Sequence, residues 1–313
     1  MNSDAMPVGH LTQDQVRTVM TAFAAAAPLR NQRPWRLICT PTALELRAEL
    51  PTRPSTDGSA SRSASGSVQS STDAAAEPDP RELLLSCGAA LLNVRAAIRV
   101  LGAHPAVRLL PDDSQPDLLA VVLPQAGFAA APADIALAEA IARRRASRPP
   151  TGGIPAPMIN RLRRAARVEQ TWLAILPTER LEDVQLSHLN RDVQGRDGTA
   201  VDADSADWPP SAARSNVMVA VVGSFHDSPL AWLQSGQGMQ RVLLTAAAAG
   251  LTTTLLAHMV RASQTRGLVR RLIGGGVWPQ AVVRLESPAQ LSASQTASAA
   301  VSREAVHGSV VPH

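Results

Sequence analysis

Apolar positions along the chain alternate between two periods, and the alternation restarts part-way. Leu11, Val16, Val19 and Met20 fall on one stripe at helical spacing and predict a helix over Thr12–Ala26. Trp35–Thr40 and Ala43–Leu46 read as short strands broken by Pro41. Arg81–Leu101 reads as a long helix, apolar at Leu84, Leu85, Ala89, Leu92, Ala96 and Val100. Leu118–Leu123 is a continuous apolar run between Asp117 and Pro124, the pattern of a buried strand.

A second round follows. Helices are predicted over Ile135–Arg145 and Pro157–Arg167, then a strand over Thr171–Leu176 and a helix from Thr178. Val217–Val222 is a second buried strand, and Leu230–Gly250 a long helix stopped by a C-terminal glycine. Ser263–Ile273 predicts one more helix and Gln280–Leu285 a final strand. Each round sets helices around a few β-branched strands, so the fold class is α+β or α/β. The two long helices occupy comparable places in the two rounds, although identity between the halves is too weak to establish a repeat by itself. The expected organisation is a first half over 1–125, a second half over 126–286 and a tail over 287–313. Residues 52–80 are rich in Ser, Ala and Pro with Val68 as their one core-type side chain. That composition predicts a disordered insert over 52–78, and the tail is similar.

Composition narrows the chemistry. The chain has 313 residues, 45% hydrophobic and 18% charged, which suits a globular core. All thirty basic side chains are Arg, with no Lys and no Tyr, so a Schiff base and a phosphate-loop Lys are excluded. Cys39 and Cys87 stand alone without a CxxC, which excludes a cysteine zinc site and a disulfide scaffold. Seven scattered His form no HExxH or HxxxH pair, so no metal is expected. No apolar run reaches the length of a transmembrane helix, and no membrane partner is expected. Val19–Leu29 could pass for a signal-peptide core, but Asp14 ahead of it and Arg30, Arg33 and Arg36 behind it point to a cytoplasmic protein.

Four segments could carry function. Pro28–Arg36 is a Pro-bracketed turn holding Asn31, either a functional loop or a surface turn with Trp35 as a core plug. Arg143, Arg144, Arg145 and Arg148 form either an anion site or the basic end of a helix. A nucleic-acid patch is a third reading of them, weakened by the lack of Lys and of interleaved aromatics. Gly236-Gln237-Gly238 does not complete a dinucleotide fingerprint and fits a core helix better. Trp278–Arg284 is a strand ending in one Arg, a position usually turned to solvent.

Taken in order, these segments resemble the flavin-dependent nitroreductases, and within them the actinobacterial Acg-like branch. The resemblance rests on Asn31-Gln32-Arg33-Pro34-Trp35, Arg81–Ala89, Arg144-Arg145-Ala146-Ser147-Arg148, Ala249-Gly250-Leu251 and Pro279–Arg284, and spans roughly residues 12–285 apart from the insert. It implies an α+β nitroreductase-like fold with two halves fused in one chain as a pseudo-dimer. It also implies FMN as cofactor, NAD(P)H as co-substrate and a small-molecule electron acceptor such as a nitroaromatic or quinone. The expected state is a monomer or weak homodimer, with no nucleic acid partner. By motif, Arg144, Arg145, Ser147 and Arg148 would bind the FMN phosphate with help from Arg284. Asn31 and Arg33 would approach the flavin from the first half, and Ala249-Gly250 would present backbone N–H groups near flavin N5. No acid–base pair is implied, because hydride chemistry belongs to the flavin. The chain departs from the family where Arg33 replaces a Gln and where the loop before it is one residue short. Ala146 stands in place of a hydroxyl residue, and the segment between Leu189 and Val217, which forms a lid in the family, is shortened. These departures leave an FMN-sequestering protein with little turnover as the alternative.

Overall fold

The buried hydrophobic side chains collect on two four-stranded sheets. The computed structural model describes residues 6–26, 35–48, 79–142, 153–176 and 217–287. Two compact units are present: Met1–Ala142 with Ser224–Arg241, and Arg143–Gly223 with Val242–His313. The expected insert over 52–78, the helix from Thr178 and all of the tail beyond Ser287 lie outside the described residues.

The first unit begins with α1 (Gln13–Ala24), capped by Thr12 and Gln15 in a reciprocal box. Strands β1 (Trp35–Cys39) and β2 (Leu44–Ala48) pair antiparallel, and β2 then pairs with β4 (Leu118–Ala126). Strand β3 (Ala103–Leu109), absent from the sequence pattern, pairs with β4 over seven residues. Its Pro105 and His104 hide the period; Pro is tolerated because β3 is the edge of the order β1-β2-β4-β3. Helix α3 (Pro132–Ala142) starts three residues earlier than expected, with Pro at its first position where no N–H is needed.

Helix α2 (Pro80–Val100) is buried nearly all round rather than along one stripe; even Arg81 and Glu82 are about 5% exposed. By length and composition it could cross a membrane, contrary to the sequence expectation, but most of it lies inside the protein as a core helix. What covers one side of it is the start of α5 (Pro229–Ala248). A Cβ on Gly88 would stand 2.2 Å from the Leu233 carbonyl oxygen, and one on Gly236 would stand 2.1 Å from that of Leu85. The two helix backbones therefore touch where each lacks a side chain, and Gly236 belongs to a core helix as its pattern suggested. Polar bonds fix the register beside this contact. Gln240 Nε2 donates to Asn93 Oδ1 at 2.9 Å, Asn93 Nδ2 donates to the Ala22 carbonyl at 3.0 Å, and Arg95 donates to Gln237 Oε1 at 2.6 Å. Asn93 is fully buried, so each of its two bonds removes a desolvation cost of roughly 1–3 kcal/mol.

The second unit opens on α4 (Ala156–Val168), which buries Met158, Leu162, Ala165 and Ala166 at helical spacing. Its sheet runs β5 (Trp172–Leu176), β6 (Val217–Ser224), β8 (Trp278–Glu286), β7 (Thr252–Leu255). The four-residue β7 was not legible because TTTL is too short and too polar to show a period. Helices α6 (His258–Arg261) and α7 (Ser263–Leu272) pack Met259, Val260 and Val269 against Val219, Val221 and Val282. Both sheets place their strands in the order first, second, fourth, third by chain position, and each has its long helix between the second and third strands. The repeat that identity could not establish is thus a repeat of topology.

The Gly88–Gly236 contact sets a test. Replacing either by Ala drives a Cβ about 1 Å inside van der Waals contact with a carbonyl held by its own helix. The expected loss is about 2–3 kcal/mol in urea denaturation, exceeding the helix propensity that Ala adds. Gly267→Ala on α7 meets only Arg271 Nη1 at 3.8 Å and should gain up to about 1 kcal/mol.

Candidate functional site

Of the nine residues that the sequence pattern assigns to a site, three lie among the described residues. Asn31, Arg33, Arg144, Arg145, Ser147 and Arg148 lie outside them. Arg284, Ala249 and Gly250 are described, all in the second unit.

Arg284 sits near the end of β8, a central strand with β6 on one side and β7 on the other, opposite Thr254. It is not turned to solvent as a strand-end Arg is expected to be: its side chain is 15% exposed and forms an ion pair with Glu286 two positions on. The i,i+2 spacing puts both on one face of the strand. Burial of the Arg stem against the sheet, with the carboxylate beside it, makes this a fixed guanidinium rather than a solvated one.

Ala249 and Gly250 close α5. Gly250 has φ +82°, the left-handed geometry that favours glycine. Its N–H donates to the Ala247 carbonyl at 3.0 Å and that of Leu251 to Ala246 at 3.0 Å, the two bonds of a Schellman cap. The Ala249 N–H also donates to Ala246 at 3.0 Å. In this structure the N–H groups at the turn are satisfied by the helix that they terminate.

Sequence reading passed over a second cationic feature. Arg270 stacks its guanidinium 3.7 Å from the Trp278 ring centroid, and Arg266 lies 5.5 Å from it. Its signal in the sequence is the spacing of Arg266 and Arg270, one turn apart just before Trp278. Among the described residues no group of three or more His, Cys, Asp or Glu is placed to hold a metal ion. Cys87 is buried and its thiol pKa is pushed far up by desolvation, which makes it an inert core group.

No family model matches the chain. A protein of Mycobacterium tuberculosis H37Rv named "Putative NAD(P)H nitroreductase" is 30% identical over 314 residues, covering 87% of this chain and 85% of the relative. The chain belongs to the NAD(P)H nitroreductase family. A second relative from the same organism, "Putative NAD(P)H nitroreductase acg", is 24% identical over 328 residues, covering 90% and 91% of the two chains, which agrees with the Acg-like branch. Among solved structures, a nitroreductase with bound FMN from Bacteroides fragilis aligns at TM-score 0.34 and 16% identity, over 50% of this chain and 90% of that one. An NADH dehydrogenase/NAD(P)H nitroreductase structure from Parabacteroides distasonis aligns at 0.35 and 17%, over 49% and 86%. Family membership rests on the 30% relative, and the mixed helix-and-sheet architecture follows the nitroreductase-like α+β expectation.

The Gly250 turn gives a local test of the family's AGL-like segment. Gly250→Ala should cost about 1–2 kcal/mol, because φ +82° strains any residue with a Cβ. Gly127→Ala, also at positive φ but with nothing within 4 Å, provides a matched control for strain without crowding. In thermal denaturation the loss at Gly250 should be at least as large as that at Gly127.

Proposed function

We propose that this nitroreductase-family chain is an FMN-dependent NAD(P)H oxidoreductase that reduces nitroaromatic or quinone-like acceptors. The observation that carries the reading is the 30% relative aligned along 87% of the chain, together with the order of the five motifs. The doubled α-β-β-α-β-β topology supports a two-half chain, a pseudo-dimer within one polypeptide.

The described residues fit FMN in one respect. A flavin phosphate needs guanidiniums on rigid supports, and Arg284 is such a group on a central strand. Its charge is matched by Glu286, so Arg284 alone gives no net attraction for a dianion. The excess positive charge is assigned to Arg144, Arg145 and Arg148, with the Ser147 hydroxyl as a further donor. Asn31 and Arg33 are assigned to the flavin ring side. Ala249 and Gly250 are assigned to the wall beside it, where their N–H groups would have to be shared with the α5 cap. When bound, FMN supplies the hydride chemistry. The chain's own work is to hold the phosphate, orient the ring and exclude water.

A second reading is an FMN-binding protein with little turnover. Arg33 in place of the family's Gln favours it: a guanidinium near the pyrimidine end would stabilise reduced flavin and weaken it as a hydride donor.

Flavin absorption bands in the purified protein, with NAD(P)H oxidation on adding a quinone, are the expected result. Bands without oxidation favour sequestration, and a protein that neither carries nor takes up FMN contradicts both readings. Arg284→Ala should weaken FMN binding by roughly 1.5–3 kcal/mol and riboflavin binding much less. Equal losses for the two flavins would mean that Arg284 serves the fold only.

A further inference from the structure

The second unit contains a cavity of about 350 Å³ beside α7, lined by Ser263, Arg266, Gly267, Arg270, Arg271 and Trp278. Its volume is at the small end of the range for ligand pockets. Ser263, Arg266, Gly267, Arg270 and Arg271 recur at i, i+3, i+4, i+7 and i+8, so one face of the helix builds the wall. Trp278 at the start of β8 contributes the aromatic part of the lining. Six strand residues, roughly 20 Å, separate Trp278 from Arg284, so the cavity is distinct from the position assigned to the flavin phosphate.

Three arginines contribute to the lining and no acidic residue does. Two of them are held in place. Arg266 donates to the Pro279 carbonyl at 2.7 Å and to Gln280 Oε1 at 3.0 Å. Arg270 is stacked on Trp278 and donates its Nε to the Gly275 carbonyl at 3.1 Å, which leaves its two terminal amino groups without an acceptor among the described residues. Arg271 is exposed and has no hydrogen-bond or ion-pair partner among them. Basic residues in a last helical turn complement the helix dipole, and that accounts for Arg270 and Arg271 being cationic. It does not account for the space between them. Gly267 creates that space: a Cβ there would meet one atom within 4 Å, the Arg271 Nη1 at 3.8 Å.

We propose that this cavity is a binding site for a small phosphate-bearing anion, of the size of a pyrophosphate or the diphosphate of a nucleotide. Guanidinium groups match phosphate oxygens in bidentate geometry, and stacking on Trp278 lowers the entropic cost of placing Arg270. Small volume and fixed donors select a compact, highly charged group over an extended polyanion. The site does not depend on flavin binding or on the proposed reaction.

Titration calorimetry of the full chain, saturated with FMN to occupy any other phosphate site, uses inorganic pyrophosphate as the probe. Saturable binding of one pyrophosphate per chain is expected. Gly267→Leu keeps every charge and fills the cavity; it should lower the affinity at least about tenfold, as should Arg270→Gln. Arg164→Gln, on α4 outside the cavity, should leave it unchanged. ADP binding with the same sensitivity to both substitutions would identify a nucleotide diphosphate as the source, and pyrophosphate alone a free anion. Absence of saturable binding, or equal affinity in the wild type and Gly267→Leu, would overturn the proposal. FMN content of the variants, unchanged by either substitution, separates this site from the flavin.

Discussion

The first unit depends on two helices touching where neither has a side chain. At Gly88 and Gly236 the separation of α2 and α5 is set by backbone atoms, so no side-chain repacking can relieve an added methyl group. Everything beside this contact follows from it. Asn93 can reach both Gln240 and the Ala22 carbonyl because the helices are this close, and Arg95 can reach Gln237. A buried amide such as Asn93 is tolerated only when its bonds are made, so the polar network selects the register in which the glycines meet. The contact also explains why Ser224–Arg241 belongs to the first unit although it comes far later in the chain.

The same long-helix position recurs in both units, and so does the strand order. Within that pattern the two units differ in content. The first has a helix buried on all sides, Pro80–Val100; the second gathers arginines at β8 and α7. Hydride chemistry assigned to a cofactor suits such a chain, since the protein then needs donors for an anion and a shaped wall more than an acid–base pair.

Long apolar periods were readable from sequence alone. Gln13–Ala24, Ala156–Val168 and Ser263–Leu272 appear within a few residues of their predicted bounds because their stripes are unbroken. Edge strands were not. Ala103–Leu109 has Pro105 in its middle, and Thr252–Leu255 has four residues, so partner strands rather than local pattern define both. The burial of Arg284 was hidden for a similar reason: its Glu286 partner lies outside the segment that drew attention to it. The stacking of Arg270 on Trp278 joins a helix to a strand, a juxtaposition that helical spacing alone does not reveal. By contrast the family was legible, because five short motifs in a fixed order survive where overall identity is low.

The proposed function requires one set of flavin-binding motifs per chain, and so one FMN bound by each chain. The arginine cluster occurs once, at 143–148, and the Asn-Pro-Trp loop once, at 31–35, so a single chain holds one set of motifs. Sedimentation velocity with detection at both the flavin and protein absorption bands measures bound FMN and molecular mass in the same boundary. A monomer sedimenting with one FMN per chain is the predicted result. A boundary of dimer mass carrying one FMN per two chains would contradict it.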